Sequence, residues 1–145
     1  MRRLPFSALL LVCVSGPVMA QTAADSLGIR TAALDYIEGY YAGDGDRMAR
    51  ALHPELVKRI RSVDGRGRVW IDEMGATKLV RITRTGAGTE VPAAEQKTDV
   101  RILDIHGNAA SARIDAGAWV DYLHLVRWEG RWVILNVLWE LSPPG

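Results

Sequence analysis

His124 and Asn136 form the polar pair in this sequence with the clearest potential for chemistry. They lie in two consecutive runs of strand-like residues, and a three-residue turn at 129–131 would place them opposite each other. A histidine beside an amide in an apolar cavity could act as a general acid or base near neutral pH. The pair could also bind a ligand, or form a core hydrogen bond that serves packing alone. His124 is therefore the candidate catalytic residue.

Three tyrosines are candidate pocket residues, because a phenol combines an apolar ring with a hydrogen-bonding hydroxyl. Tyr36 and Tyr40 are one helical turn apart and would share a helix face. Ordinary packing of a helix on a sheet is the alternative role for both. Tyr122 would point to the same side of its strand as the histidine. The predicted ligand-binding residues are therefore Tyr36, Tyr40, Tyr122, His124 and Asn136.

Residue patterns for metal binding and covalent catalysis are lacking. The histidines at positions 53, 106 and 124 are scattered, and none has a second ligand at a spacing typical of metal sites. The Asp-Gly-Asp stretch at 44–46 lacks the glutamate that a calcium loop requires, so a turn and a helix cap explain it. The sequence has no glycine-rich phosphate loop and no serine elbow. We therefore expect no metal and no cofactor.

The N-terminal end predicts export. Arg2 and Arg3 precede a short apolar run, and small residues follow at the positions of a cleavage site, which is the layout of a signal peptide. Residues 1–20 are predicted to be removed by cleavage after Ala20, which would make the protein periplasmic or secreted. The apolar run is too short to span a bilayer, so we expect no stable membrane insertion.

The composition of the remaining chain limits the class of partner. Of the 18 basic residues, Arg2 and Arg3 would be removed, which leaves 16 against 17 acidic residues and a net charge of −1. This balance argues against nucleic acid as a partner. Removal of Cys13 would leave no cysteine, so packing rather than disulfides must stabilise the fold. The remaining chain is long enough for one domain, which we place at residues 25–141, followed by a tail at 142–145.

The first half of the domain is predicted to be helical. Apolar residues recur at spacings of three and four over residues 26–42, which is typical of an amphipathic helix. Asp46 would cap a short helix that ends at residue 52, residues 55–60 would add another turn or two, and residues 72–83 would form a further helix. A basic cluster is interpreted as a solvated helix end and loop: Lys58, Arg59, Arg61, Arg66 and Arg68.

The second half is predicted to be β. Strands are expected at residues 100–105, 110–128 and 132–141, with a bend or bulge at Gly117 in the long middle strand. Both faces of the last hairpin carry large apolar side chains, so each face needs a cover. We place Tyr122, His124 and Asn136 on the face that helices cover. The other face would contact a second subunit and form a homodimer, through Leu123, Leu125, Leu135, Val137 and Trp139.

A different register would reverse this assignment. A register shift, or a bulge near Gly117, moves every side chain of the strand to the other face. Trp119 and Asp121 would then be the pocket residues. Which face lines the pocket stays open on the sequence alone.

Three stretches carry a family resemblance: residues 36–48 (YIEGYYAGDGDRM), 51–54 (ALHP) and 119–125 (WVDYLHL). They resemble proteins described as "putative lumazine-binding", of the nuclear-transport-factor-2-like (SnoaL-like) superfamily. The resemblance covers nearly the whole chain after the signal peptide. It implies a cone-shaped α+β fold in which N-terminal helices pack on a curved antiparallel sheet. It also implies a pocket between helices and sheet, and usually a dimer.

The resemblance also bears on activity. Tyr36 stands where the related ketosteroid isomerases carry an oxyanion-binding tyrosine, but their general-base aspartate would fall near residues 59–61, where there is no acid. The leading expectation is an exported protein that binds a small apolar or aromatic molecule in an apolar pocket. The alternatives are an isomerase or dehydratase that uses His124 as general base, and a non-catalytic dimeric interaction module.

Overall fold

A computed structural model of the chain describes residues 16–143, with side chains described from Thr22 onward. Residues 1–15 of the predicted signal peptide therefore lie outside the described part. In chain order the elements are α1 (Gly16–Ala42), α2 (Gly45–Ala51), β1 (Leu52–Val63), β2 (Val69–Gly75), α3 (Ala76–Arg84), a 3-10 helix (Ala87–Glu90), β3 (Asp99–His106), β4 (Ala109–Asp115), β5 (Trp119–Trp128) and β6 (Arg131–Leu141). No helix among the described residues has both the length and the apolar character needed to cross a membrane.

The six strands form one sheet in the order β2-β1-β6-β5-β4-β3. Neighbouring strands are antiparallel except β1 and β6, which are parallel. The predicted α+β class with helices packed on a sheet is confirmed. The parallel pair, which the sequence analysis did not anticipate, makes the sheet mixed rather than wholly antiparallel. The last strand of the chain consequently lies in the middle of the sheet.

The end of α1 is close to the prediction, but the cap of α2 is not the predicted residue. The side chain of Asp44 accepts hydrogen bonds from the backbone nitrogens of Asp46 and Arg47, at 3.0 and 2.8 Å. It thereby satisfies two of the amides that a helix start leaves without a partner. Asp44, rather than Asp46, is therefore the N-cap of α2.

The predicted helix at residues 55–60 is wrong, because these residues belong to β1. Their burial alternates in the manner of a strand: Leu56 and Lys58 are buried, whereas Val57 and Arg59 are partly exposed. The predicted start of the next helix at Asp72 is also wrong, because β2 continues to Gly75. Pairing of β1 with both β2 and β6 overrides the local helical pattern.

The predicted long strand at residues 110–128 is two strands, and Gly117 lies in the turn between them. The carboxylate of Asp115 accepts a hydrogen bond from the backbone nitrogen of Gly117 at 3.0 Å. Gly117 itself has a φ of 79°, in the left-handed region that favours glycine. An aspartate followed by a glycine two residues later therefore closes the β4–β5 hairpin.

The register of the last hairpin is confirmed away from its turn. His124 pairs with Asn136, and Tyr122 pairs with Leu138, as predicted. Near the turn the prediction is wrong by one residue, because the turn has two residues rather than three. Its residues Glu129 and Gly130 both have positive φ, at 48° and 79°, which matches the right-handed twist of the strands. The register then shifts between His124 and Leu125.

The predicted assignment of the two sheet faces is wrong, and the exchanged arrangement is the correct one. Leu123 and Val137 are 1% and 2% exposed within the core beneath the helices, whereas Tyr122 and Leu138 are 48% and 57% exposed. The face predicted to form the dimer is therefore the inner face, and it packs within the chain. Leu125 is buried in the same core, Trp139 packs against it, and Leu135 is the unpaired residue of the bulge.

Candidate functional site

A cavity of about 180 Å³ lies between the inner face of the sheet and the helices α1 and α3. Four of its nine lining residues are aromatic, four are aliphatic or sulfur-containing, and one is a lysine. They are Tyr36, Tyr40, Trp119, Trp139, Ile37, Met74, Leu79, Ile82 and Lys58. The lining thus combines an apolar wall with one charged group.

Lys58 is the centre of a buried polar cluster at this cavity. Its ammonium nitrogen lies 2.6 Å from Oδ1 of Asp121 and 2.5 Å from the hydroxyl oxygen of Tyr36. The Tyr36 hydroxyl also donates to the same Asp121 oxygen at 3.3 Å. The side chains of Lys58 and Asp121 are 9% and 0% exposed. The cluster is a buried ion pair to which a phenol is hydrogen-bonded.

Asp121 has no free oxygen in this arrangement. Its Oδ2 accepts a hydrogen bond from the indole nitrogen of Trp119 at 2.8 Å, and Oδ1 accepts from the lysine and the phenol. The ammonium of Lys58 also lies over the rings of Trp139 and Tyr36, 4.8 and 5.3 Å from their centroids. Aromatic faces attract cations, so these rings hold the ammonium in place as well.

Three parts of the chain bring the cluster together. Lys58 comes from β1, where it lies opposite Val137 of the neighbouring parallel strand. Asp121 comes from β5, opposite Trp139, and both face inward. Tyr36 comes from the buried side of α1, which packs against the sheet. The parallel contact of β1 with β6 is what carries the lysine to the aspartate, 63 residues further along the chain.

Tyr40 is fixed beside the cluster by a close approach of the 3-10 helix. A Cβ atom added to Gly88 would lie 2.1 Å from the carbonyl oxygen of Tyr40, so only glycine fits there. The ring of Tyr40 meets the ring of Trp119 edge-on, with centroids 6.0 Å apart. This geometry is favourable for aromatic pairs and makes a rigid part of the cavity wall.

Both cavity phenols keep their protons over the neutral pH range. Burial raises the pKa of Tyr36 well above its ordinary value of 10.0, and the carboxylate of Asp121 raises it further. Burial also raises the pKa of Tyr40, again with a contribution from Asp121. Removing a phenol proton next to a buried carboxylate would place two negative charges together in a poorly solvated site. The tyrosines therefore act as neutral hydrogen-bonding groups.

Of the five predicted ligand-binding residues, only Tyr36 and Tyr40 line this cavity. Tyr122 and His124 are exposed on the outer face of the sheet, and the partly buried Asn136 pairs with His124. Their predicted position in the pocket is wrong, for the same reason that the faces are exchanged. A general base at His124 would therefore lie on the opposite side of the sheet from the cavity.

Lys58 and Trp139 are cavity residues that the sequence pattern did not predict, and Trp119 and Asp121 were predicted only as the alternative. The sequence contained a signal for Lys58: Leu56, Lys58 and Ile60 are two residues apart, so in a strand their side chains lie on one face. Among the described residues, no group of three or more histidine, cysteine or carboxylate side chains could hold a metal ion.

Solved structures of similar fold come from several bacteria. A nuclear-transport-factor-2-like (NTF2-like) protein of unknown function from Shewanella baltica superposes with a TM-score of 0.63 at 22% identity, over 84% of this chain and 97% of that chain. An NTF2-like protein with a cystatin-like fold from Novosphingobium aromaticivorans gives a TM-score of 0.62 at 12% identity, over 88% of each chain. At such identities the likeness shows the fold alone.

A third solved structure, described as a "putative aromatic ring hydroxylase" from Novosphingobium aromaticivorans, has a TM-score of 0.56 at 15% identity, over 84% of this chain and 92% of that chain.

The search of curated proteins found no significant match. A family model described as "Putative lumazine-binding" matches residues 24–140, which is most of the chain. Together with the helix-covered sheet, this match shows that the chain belongs to the "Putative lumazine-binding" family of nuclear-transport-factor-2-like proteins.

Proposed function

We propose that this chain is an exported protein that binds a small planar molecule in the cavity between α1, α3 and the sheet. The observation that carries the proposal is the combination of four aromatic rings with a single buried ammonium in one cavity. Aromatic walls and a few polar groups are typical of small-molecule sites, where the apolar surface supplies affinity and the polar groups fix orientation.

The size of the cavity limits the ligand to one or two rings. An engineered apolar cavity of about 150 Å³ takes up benzene, whereas drug-sized ligands occupy about 300–1,000 Å³. At about 180 Å³, this cavity belongs with the first group. The family description names lumazine, a flat two-ring molecule with carbonyl oxygens. The shape and polarity of such a molecule match those of the cavity, which supports the proposal.

Native mass spectrometry of the protein isolated from the periplasm of producing cells tests both parts of this proposal. We expect a chain that begins at Gln21, which reports export and cleavage, and an additional mass of a small aromatic molecule. In the Ile82→Trp variant the added ring fills the cavity, so the additional mass should disappear. Lys78→Trp places the same ring at an exposed position of α3 and should keep it. A chain without any bound mass in the unmodified protein contradicts the binding function.

We further propose that the protein is a homodimer that forms through the outer face of the sheet. Tyr122, Leu138 and Arg59 lie side by side on this face in neighbouring strands, and the first two are about half exposed. Exposed apolar side chains in the middle of a sheet favour burial against a second copy.

Size-exclusion chromatography with light scattering tests the dimer. We expect the unmodified protein to have the mass of two chains, and Leu138→Arg to have the mass of one, because a charge would be buried in the interface. Leu27→Arg is the matched control, since Leu27 is 68% exposed on α1, away from the sheet face. A monomeric unmodified protein, or a dimeric Leu138→Arg variant, contradicts the proposed interface.

A further inference from the structure

We propose that the cavity selects uncharged ligands that carry a hydrogen-bond acceptor such as an amide or ketone carbonyl, and that it discriminates against carboxylates and ammonium ions of the same shape. The proposal rests on the proposed small-molecule function and names the ligand class. The contacts of Lys58 and Asp121 carry it.

The charge balance of the cavity disfavours charged ligands. Among the residues that the structure describes, Lys58 is the only charged one that lines it, and its charge is balanced at 2.6 Å by Asp121. The site is therefore neutral overall before a ligand enters. A carboxylate would add a negative charge, and an ammonium a positive one, with no countercharge left in a poorly solvated interior. Burial of an unbalanced charge is unfavourable, so we expect a charged ligand to lose about tenfold or more in affinity.

The cluster leaves one hydrogen-bond donor for a ligand. An ammonium has three hydrogens. Two of those of Lys58 are donated to Asp121 and Tyr36, which leaves one for a ligand. One strong donor matches one carbonyl oxygen. Asp121 is fully buried behind the lysine and does not line the cavity, so its carboxylate does not face a ligand. A cationic ligand would consequently find no free acceptor of that strength at the cluster.

The position of the ammonium over the aromatic rings also disfavours a cationic ligand. Lys58 already occupies the face of Trp139 and approaches that of Tyr36, at 4.8 and 5.3 Å from the centroids. A ligand cation would compete for these faces with a cation that belongs to the protein. A neutral ring can instead pack against the remaining wall, where Tyr40 and Trp119 meet edge-on.

Three one-ring probes of similar size and different charge test the proposal: benzamide, benzoate and benzylammonium. Their affinities for the purified unmodified protein are measured by calorimetry and by fluorescence of Trp119 and Trp139, both of which line the cavity. We expect benzamide to bind at least tenfold more tightly than either charged probe. Benzoate or benzylammonium binding as tightly as benzamide overturns the selectivity while leaving the small-molecule function standing. No binding of any probe overturns the one-ring capacity of the cavity and the selectivity with it.

Two variants should invert the selectivity. Asp121→Asn leaves the lysine charge unbalanced, so benzoate should become the preferred probe. Lys58→Met leaves the aspartate unbalanced, so benzylammonium should be preferred. Arg59→Met is the matched control, because Arg59 faces outward next to Lys58 and should keep the preference for benzamide. Folding of each variant is checked by circular dichroism. An unchanged preference in both folded variants overturns the role of the ion pair.

Discussion

Val137→Asp is expected to abolish folding, whereas Leu138→Asp, one residue further along the same strand, leaves the domain folded. Val137 is 2% exposed on the inner face, and Leu138 is 57% exposed on the outer face. Burial without a partner can raise the pKa of a carboxyl by about 3–5, which costs about 4 kcal/mol at pH 7 because the group must give up its charge. The lost burial of the valine adds about 1.5–3 kcal/mol.

The sum of these two costs of Val137→Asp is comparable to the whole free energy of unfolding of a small domain, which is about 5–15 kcal/mol. Urea unfolding followed by circular dichroism measures the difference in the free energy of unfolding between the two variants. Each protein is measured in its monomeric form. Leu138→Asp should stay within about 1 kcal/mol of the unmodified chain, since a surface substitution changes little. Equal stability of the two aspartate variants would show that the faces of the sheet are not as described.

The second large effect concerns the buried ion pair. Lys58→Met and Asp121→Asn should each lower the free energy of unfolding by about 3–5 kcal/mol, because each leaves one buried charge without its partner. The double variant should be more stable than either single variant. It removes both charges, and the asparagine still accepts a hydrogen bond from Tyr36 or Trp119.

A double-mutant cycle in urea measures this coupling. The matched control is the ion pair of Arg59, which follows Lys58 in β1, and Glu73 of β2. Nε of Arg59 lies 3.3 Å from Oε2 of Glu73, and the two side chains are 43% and 62% exposed. Arg59→Met should cost less than about 1 kcal/mol, because solvent screens an exposed pair. Additive effects of Lys58→Met and Asp121→Asn would mean that the two side chains do not act as a pair.

Much of the fold could be predicted from local pattern and resemblance. The helical start, the strands of the second half and the pairing of His124 with Asn136 follow from periodicity and from turn residues. The choice of face could not be predicted in this way, because large apolar residues stand on both faces of the last hairpin. Asp121 looks like an outward residue until its partners are known, and these are 63 and 85 residues away.

Lys58 illustrates the same limit. It stands among arginines, and a basic run is ordinarily a solvated surface. What makes it part of the cavity is the parallel pairing of β1 with β6, a contact between distant parts of the chain. The candidate site could therefore be predicted only in part: the helix with Tyr36 and Tyr40 follows from its pattern, whereas Trp119 and Asp121 stand only as the alternative face. Its charged half depends on how the sheet is assembled.

The order of the strands also determines when the molecule can fold. β6 contains the last residues of the sheet, and it joins the hairpin of β1 and β2 to the meander of β3, β4 and β5. During synthesis the two parts of the sheet cannot be united until residues 131–141 have left the ribosome. Contacts of such long sequence separation form slowly. The six-stranded sheet, and the core that it forms with the helices, can therefore be completed only at the end of synthesis.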